Sequence, residues 1–477
     1  MLPYAVESLS LRDRAGPKHR RLYEGLRDAI LDGSLAPETR LPPSRLLAEH
    51  LGVSRNTVVT AFEQLRAEGY VTAKVGHGTR VAAIAPENLI ACAPAPRRKQ
   101  PDADKSGVSR PAAGPFEPGR PDTGAFPHAL WARLLARAAR AAARLSVPYD
   151  EPMGDAALRA AIAAHAREYR AVRCEAGQVL VTTSAQAGLA LIARWLLEPG
   201  DPVWLEEPGY PGALAAFRDA RAGIVPVPVD AGGMNPQAAP GGPPPGLIYV
   251  TPSHQFPLGP TMPLSRRLAL LERAARTGAY IVEDDYDSEF RFSGRPVAAL
   301  QGLDSGGRVI YMGTFSKTLM PGLRVGYLIL PEDLAALVRR RRFQLSALQP
   351  PAVVQAALAQ FMEQGHYAAH IRRMRIIYAR RLDALQAAAR ALPGGARLAR
   401  CSTGLQAPLF LPPAMDDRTV AAQGAAEGLS LDALSDFYLG KGGRNGLLLG
   451  FAAIPERDMA RRVGTLGRLL RAAARTA

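Results

Sequence analysis

A lysine set between two apolar stretches is the first place where this chain could do chemistry. In VIYMGTFSKTLMPGLRVGYLIL, residues 309–330, Lys317 follows Thr314 and Ser316 and stands seven positions before Arg324. Most lysines are solvated. One held between apolar strands must pair or lose its charge, and a desolvated amine is a nucleophile toward a carbonyl carbon. Three constellations precede it. YIVEDDYDSEFR (280–291) puts Asp284, Asp285 and Tyr286 directly behind an apolar run. LEEPGYPGA (205–213) holds Tyr210 in a loop stiffened by Gly and Pro, where the ring could stack on a flat ligand or simply pack on the core. VTTSAQAGLAL (181–191) places Ser184, Ala185 and Gln186 where a strand turns into a helix, which suits a phosphate. The set offers an amine for an aldehyde, an acid for a pyridine nitrogen, a donor for a ring oxygen and an arginine for a phosphate. Those are the demands of pyridoxal phosphate. No His or Cys accompanies the acids, and Cys92, Cys174 and Cys401 lie far apart, so no metal site is expected.

These residues need a scaffold that brings distant loops together. Runs of Val, Ile and Tyr at 179–182, 247–251, 280–283 and 308–312 alternate with Ala/Leu/Arg-rich helical stretches, which predicts crossover units and a mostly parallel sheet. Ligands of such sheets sit beyond the carboxyl ends of the strands, where the acids and the lysine fall. A Pro/Gly cluster at 236–246 reads as a surface loop.

The first 85 or so residues follow another pattern. Leu22, Leu26 and Ile30 recur at helical spacing between Pro17 and Asp32. Ser44 is placed to cap a second helix carrying Leu46, Leu47 and Leu51. Gly52 ends it, and Ser54 is placed to cap a third with Val58, Phe62 and Leu65 on one face. Two helices joined at Gly52 form a helix-turn-helix that would present Ser54, Arg55, Asn56 and Thr57 to a DNA groove. YVTAKVGHGTRVAA then predicts a hairpin wing with Lys74, His77 and Arg80 near its tip. From 86 to 115 the chain is dense in Pro, Ala and charge without period, a linker composition.

LPPSRLLAEHLGVSRNTV followed by EGY and GHGT resembles the winged-helix domain of GntR-type regulators over about residues 15–82. The resemblance implies DNA contacts by Arg45, Arg55 and Thr57, supported by Ser44, Ser54 and His77. The later constellations, with FEPGRPDTGAFPHALW, VTPSHQFPLGPTMPLSRR and GLLLGFA, resemble fold-type I aminotransferases. The combination resembles the MocR-type transcriptional regulators over nearly the whole chain. It implies a multidomain protein: a winged helix-turn-helix at 1–82, a Pro-rich linker at 83–114, and at 115–477 an α/β aminotransferase-like unit with a small C-terminal subdomain. By the same resemblance Lys317 carries pyridoxal phosphate as an internal aldimine and Asp284 (with Asp285 adjacent) faces the pyridine nitrogen. Tyr286 meets the ring oxygen, with His254 nearby, and Tyr210 stacks on the ring. Arg324, Ser184, Ala185, Gln186, Thr314 and Ser316 hold the phosphate. Aminotransferases bind a substrate carboxylate through an Arg in an R-L-x-F segment; here Leu448 stands in that place, and Arg444 is an alternative effector ligand or a solvated loop residue.

Composition bounds the partners. The 59 lysines and arginines against 43 acids give a net charge of +16, which favours a polyanion such as double-stranded DNA. No apolar run reaches the ~20 residues that span a bilayer, and the first residues lack a signal-peptide pattern. A reducing cytoplasm is expected. The expected function is a DNA-binding regulator, a head-to-tail homodimer, that senses pyridoxal phosphate or an amine or amino-acid effector at Lys317. The competing readings are an active aminotransferase that carries a DNA-binding domain and an architectural DNA-binder without cofactor.

Overall fold

A computed structural model describes Val6 and residues 16–74, 78–83, 114–141, 151–294, 297–340, 349–393, 395–440 and 442–476. The chain divides into two compact units, residues 1–109 and 110–477.

The first unit holds three helices and a hairpin. Helix α1 (Lys18–Leu31) buries Leu22, Tyr23, Leu26 and Ile30. Helix α2 (Ser44–Leu51) starts one residue earlier than its sequence suggests. Pro43 is the cap, Ser44 is already helical, and its hydroxyl caps nothing. Leu46 points outward, 49 % exposed, so only part of the expected Leu face is internal. Gly52, at φ 62°, ends the helix. Helix α3 (Arg55–Ala67) is capped as expected: Ser54 Oγ accepts the Thr57 N–H at 3.2 Å. Strands β1 (Val71–Lys74) and β2 (Gly78–Val81) pair antiparallel, Val71 opposite Val81. Leu22, Leu26, Leu47, Val58, Ala61, Leu65, Val71 and Val81 close one core. The expected wing residue His77 lies outside the described residues.

In the second unit α4 (His128–Arg140) and α5 (Ala156–Arg170) lead into β3 (Val179–Thr182) and α6 (Ala185–Leu196). Next come β4 (Pro202–Glu207), α7 (Pro211–Asp219), β5 (Gly223–Asp230), β6 (Gly233–Met234) and β7 (Leu247–Val250). Then follow α8 (Leu264–Thr277), β8 (Tyr280–Asp285), β9 (Val309–Thr314), the single turn α9 (Phe315–Thr318) and β10 (Gly326–Ile329). The sheet order is β3-β10-β9-β8-β7-β4-β5-β6. Strands β5, β4, β7, β8 and β9 run parallel, while β10 is antiparallel to both β9 and β3. The central strands β7, β8 and β9 are buried on both faces, as covered parallel strands must be, so they read as mostly apolar runs.

The chain continues through α10 (Glu332–Arg340), α11 (Ala352–Glu363) and the long α12 (His366–Ala389) to a smaller sheet. Its elements are β11 (Arg397–Leu398), β12 (Gln406–Phe410), α13 (Asp417–Ala426), β13 (Asp432–Ala433), β14 (Gly446–Gly450) and α14 (Glu456–Thr476). The order is β11-β12-β14-β13, all antiparallel. Ala407, Leu409, Leu447 and Leu449 face the main core, while their alternates Gln406, Pro408, Leu448 and Gly450 share the other face.

Candidate functional site

Register explains how residues far apart in sequence meet. Gly326 of β10 lies opposite Thr314 on one side and Thr182 on the other. The antiparallel strand thereby draws the 314–324 loop beside the start of α6. Ser184 caps α6, its Oγ accepting the Ala187 N–H at 3.1 Å, and Thr314 Oγ1 accepts the Ser316 N–H at 3.1 Å to open α9. Gln186 Nε2 donates to the Gly212 carbonyl at 2.8 Å, which ties the Tyr210 loop to the same corner. Tyr210 precedes α7, and its ring meets Phe256 edge-on at 5.7 Å. Arg324 follows the turn 321–323 with φ 52°, a left-handed conformation that is costly for a non-glycine residue. It is exposed and forms no ion pair among the described residues. A corner with two helix starts, hydroxyls and an uncommitted guanidinium can hold a phosphate.

Lys317 sits on α9, half-buried, between β9 and β10. Its Nζ stands against Gly119, where a methyl group would lie 2.6 Å from the nitrogen and 3.6 Å from Gln406 Oε1. Gln406 is buried, and that oxygen has no hydrogen-bond partner.

The adjacent acids at the end of β8 have different environments. Asp285 accepts Arg170 Nε at 2.7 Å and the Tyr311 hydroxyl at 2.6 Å, all three groups being buried. Burial works against its charge, but the Arg170 guanidinium and these bonds hold it below the usual carboxylate range. Asp284 accepts the Tyr249 hydroxyl on Oδ2 at 2.6 Å, while its Oδ1 is buried without a partner. Burial pushes its pKa up to about 7, against the Tyr249 bond, with the neighbouring Asp285 adding to the rise and Lys317 opposing it. A buried carboxylate oxygen with no donor, within the electrostatic reach of a lysine amine, fits the N–H of a pyridine ring. The donor set therefore fits pyridoxal phosphate at this site.

Tyr286 donates to the His254 backbone carbonyl at 3.0 Å and lies 3.1 Å from His254 Nδ1, the rings stacked at 5.8 Å. His254 Nδ1 is 3.0 Å from both oxygens of Asp287, which also accepts the Leu405 N–H at 3.3 Å. His254 is thus fixed from β8 and from the start of β12. Arg444 is exposed and stacks over the Phe410 ring at 5.4 Å, at the far end of β12 from Gln406. Leu448 is fully buried opposite Pro408.

On the first unit, Ser54, Arg55 and Arg45 are exposed and Thr57 is half-buried. Arg55 Nε reaches Ser44 Oγ at 3.5 Å, so the start of α3 and the start of α2 present one polar surface.

Two family models match: Bacterial regulatory proteins, gntR family, at residues 18–81, and Aminotransferase class I and II at residues 122–421. The probable rhizopine catabolism regulatory protein MocR of Rhizobium meliloti is 42% identical over 466 residues, 95% of this chain and 94% of that protein. The chain belongs to the MocR-type transcriptional regulators. The pyridoxine biosynthesis regulator PdxR of Corynebacterium glutamicum is 35% identical, covering 91% of this chain and 92% of its own. Among solved structures, α-aminoadipate aminotransferase LysN of Thermus thermophilus, complexed with N-(5'-phosphopyridoxyl)-L-leucine, superposes with a TM-score of 0.69 at 28% identity, over 78% of this chain and 98% of that one. The fold of this MocR-type regulator thus implies dependence on pyridoxal phosphate, and its gntR-family head binds DNA.

Sequence reasoning missed four residues that the geometry brings in: Tyr249, Arg170, Gln406 and Gly119. Tyr249 was legible as a strand residue, but its role depends on β7 lying beside β8. Arg170 ends a helix more than a hundred residues before Asp285 and carried no local signal. No helix among the described residues is long and apolar enough to cross a membrane, and none of them form a His/Cys/Asp/Glu cluster fit for a metal.

Proposed function

We propose that this chain is a transcriptional regulator that grips promoter DNA through its winged helix and senses pyridoxal phosphate, or an amine that reaches it, at Lys317. The observation that carries the reading is Asp284 Oδ1, buried and unpartnered, within the electrostatic reach of Lys317. When bound, the cofactor supplies an aldehyde carbon that a primary amine can engage covalently. The chain's residues do the rest. Asp284 would face the ring nitrogen, with Tyr249 holding its other oxygen. Tyr286 and His254, braced by Asp287, would border the ring oxygen, and Tyr210 would lie on the ring. Ser184, Ala185, Gln186, Thr314, Ser316 and Arg324 would hold the phosphate. Lys317 and an incoming amine would compete for one carbon, and the outcome would be passed through a linker at 83–114 to Arg45, Arg55, Thr57 and their neighbours.

Buried Leu448 argues against tight capture of a carboxylate, and Arg444 is engaged on Phe410, so sensing is favoured over transamination. We place the protein in the cytoplasm as a head-to-tail homodimer on paired half-sites. The test is spectral: wild-type protein should take up pyridoxal phosphate with a visible absorption band that Lys317→Ala abolishes. Turnover of amino acid and keto acid at ordinary enzyme rates, ~1–1000 per second, would overturn the sensor reading.

A further inference from the structure

The segment that enters the large unit touches both the small sheet and the reactive lysine. The Pro115 carbonyl accepts the Ser430 N–H at 2.8 Å, and the Phe116 carbonyl accepts the Gly450 N–H at 2.8 Å. Phe116 bridges Gly450 as a short antiparallel addition to β14, and the residue is 1% exposed in the main core. Three residues later Gly119 stands against Lys317 Nζ, with no room for a methyl group between them. The last anchor of the incoming chain and the amine are therefore separated by a handful of residues.

Two features show that this path is tightly specified. Phe116 has φ 70°, a left-handed conformation that is costly for a bulky residue and persists only where surroundings enforce it. Gly450 lies directly under the segment: a Cβ there would overlap the Glu117 carbonyl oxygen and approach Pro118 Cα to 3.0 Å. The segment is thus pressed onto β14 on one side and onto Lys317 on the other, in a strained backbone that gains by letting go.

We propose that Gly114–Gly119 is a strap that reads the bonding state of Lys317 and passes it to the linker, docked on β14 in one state and released in the other. This rests on the sensor reading above. A change in what Nζ is bonded to is felt at the Gly119 backbone, which stands directly against it. Gly119 lies three residues beyond the Phe116 bridge, with Glu117 and Pro118 pressed on Gly450 between them, so displacement at Gly119 is passed to the bridge. A packed contact of this kind switches between discrete arrangements and does not bend continuously.

The test uses full-length protein, pyridoxal phosphate as the probe and a DNA fragment from the promoter beside the gene. Two quantities are read: the visible absorption band and the DNA Kd with and without cofactor. In the wild type the cofactor should change the DNA Kd by about 5–150-fold. Gly450→Ala, which lifts the strap, and the milder Phe116→Leu should keep both the absorption band and cofactor-free DNA binding, while the cofactor-induced change falls below about twofold. Retention of the full change in either folded variant overturns the strap. So does loss of the absorption band in both, which would make the segment part of the cofactor site. If the wild type takes up cofactor and its DNA affinity does not move, the sensor reading falls and the strap falls with it.

Discussion

Asp284 and Asp285 differ by one position and by opposite chemistry, because alternate residues of a strand face opposite sides of its sheet. Asp285 neutralises Arg170, so Asp285→Asn leaves a buried guanidinium unpaired and should cost about 3–5 kcal/mol, read as a large fall in Tm without cofactor. Asp284→Asn removes no ion pair. It should fold normally and lose cofactor affinity instead, and equal Tm losses in the two variants would contradict this division. Glu206 is a further buried carboxylate, with Oε1 unpartnered and Oε2 accepting the Thr251 hydroxyl at 2.5 Å. Burial pushes its pKa up to about 7, against hydrogen bonds from Thr251 and Gln255. A raised carboxyl pKa means that the folded state holds a proton the unfolded chain releases. The contribution is complete below about 4.5 and is lost as pH rises toward 7. Thermal stability of cofactor-free protein should therefore fall from pH 5 to pH 7.5, and Glu206→Gln should reduce that slope, with the raised Asp284 contributing the rest; an unchanged slope would exclude Glu206 as a source.

At the scale of elements, the two serines of the winged helix separate a capping pattern from a cap. Ser54 lies before α3 in extended conformation, and its hydroxyl takes an otherwise orphaned N–H. Ser44 follows Pro43, whose extended backbone already serves as the cap, so its hydroxyl is left to face Arg55. Ser54→Ala should lower the stability of the head by about 1 kcal/mol and Ser44→Ala by much less. Comparable losses in chemical denaturation would show that Ser44 does structural work which its geometry does not reveal. In the large sheet the decisive element is β10. Its antiparallel insertion between β9 and β3 sets Thr314 and Thr182 on either side of Gly326. Two loops more than a hundred residues apart in sequence thereby meet at one corner.

For the whole molecule, the positive charge is shared between the units in proportion to their length. Residues 110–477 carry 43 of the 59 basic residues and 31 of the 43 acids, hence +12 of the +16. Glu206, Glu283, Asp284, Asp285, Asp287 and Asp417 are buried, as against the buried arginines Arg170, Arg267 and Arg381, so the surface is somewhat more basic than the count implies. DNA binding by the full chain should weaken steeply with salt, since each neutralised phosphate releases counterions. Arg55→Ala should weaken binding and lower the slope of log Kd against log salt by about 1, while leaving the cofactor band intact. A slope that does not change would mean that Arg55 makes no phosphate contact.

The amino-acid order alone made legible the helix-turn-helix with its Gly52 turn and Ser54 cap, the alternation of strands and helices, and Lys317 as a candidate. Those are local facts: capping, turns and hydrophobic period are written within a few neighbouring positions. Tertiary structure decided which of two adjacent aspartates is neutralised by Arg170, that Tyr249 holds Asp284, that Arg444 stacks on Phe410, and that Gly119 meets Lys317. Each depends on strand order and register, which bring together side chains far apart along the chain. Burial and pairing, not residue type, then set their charge.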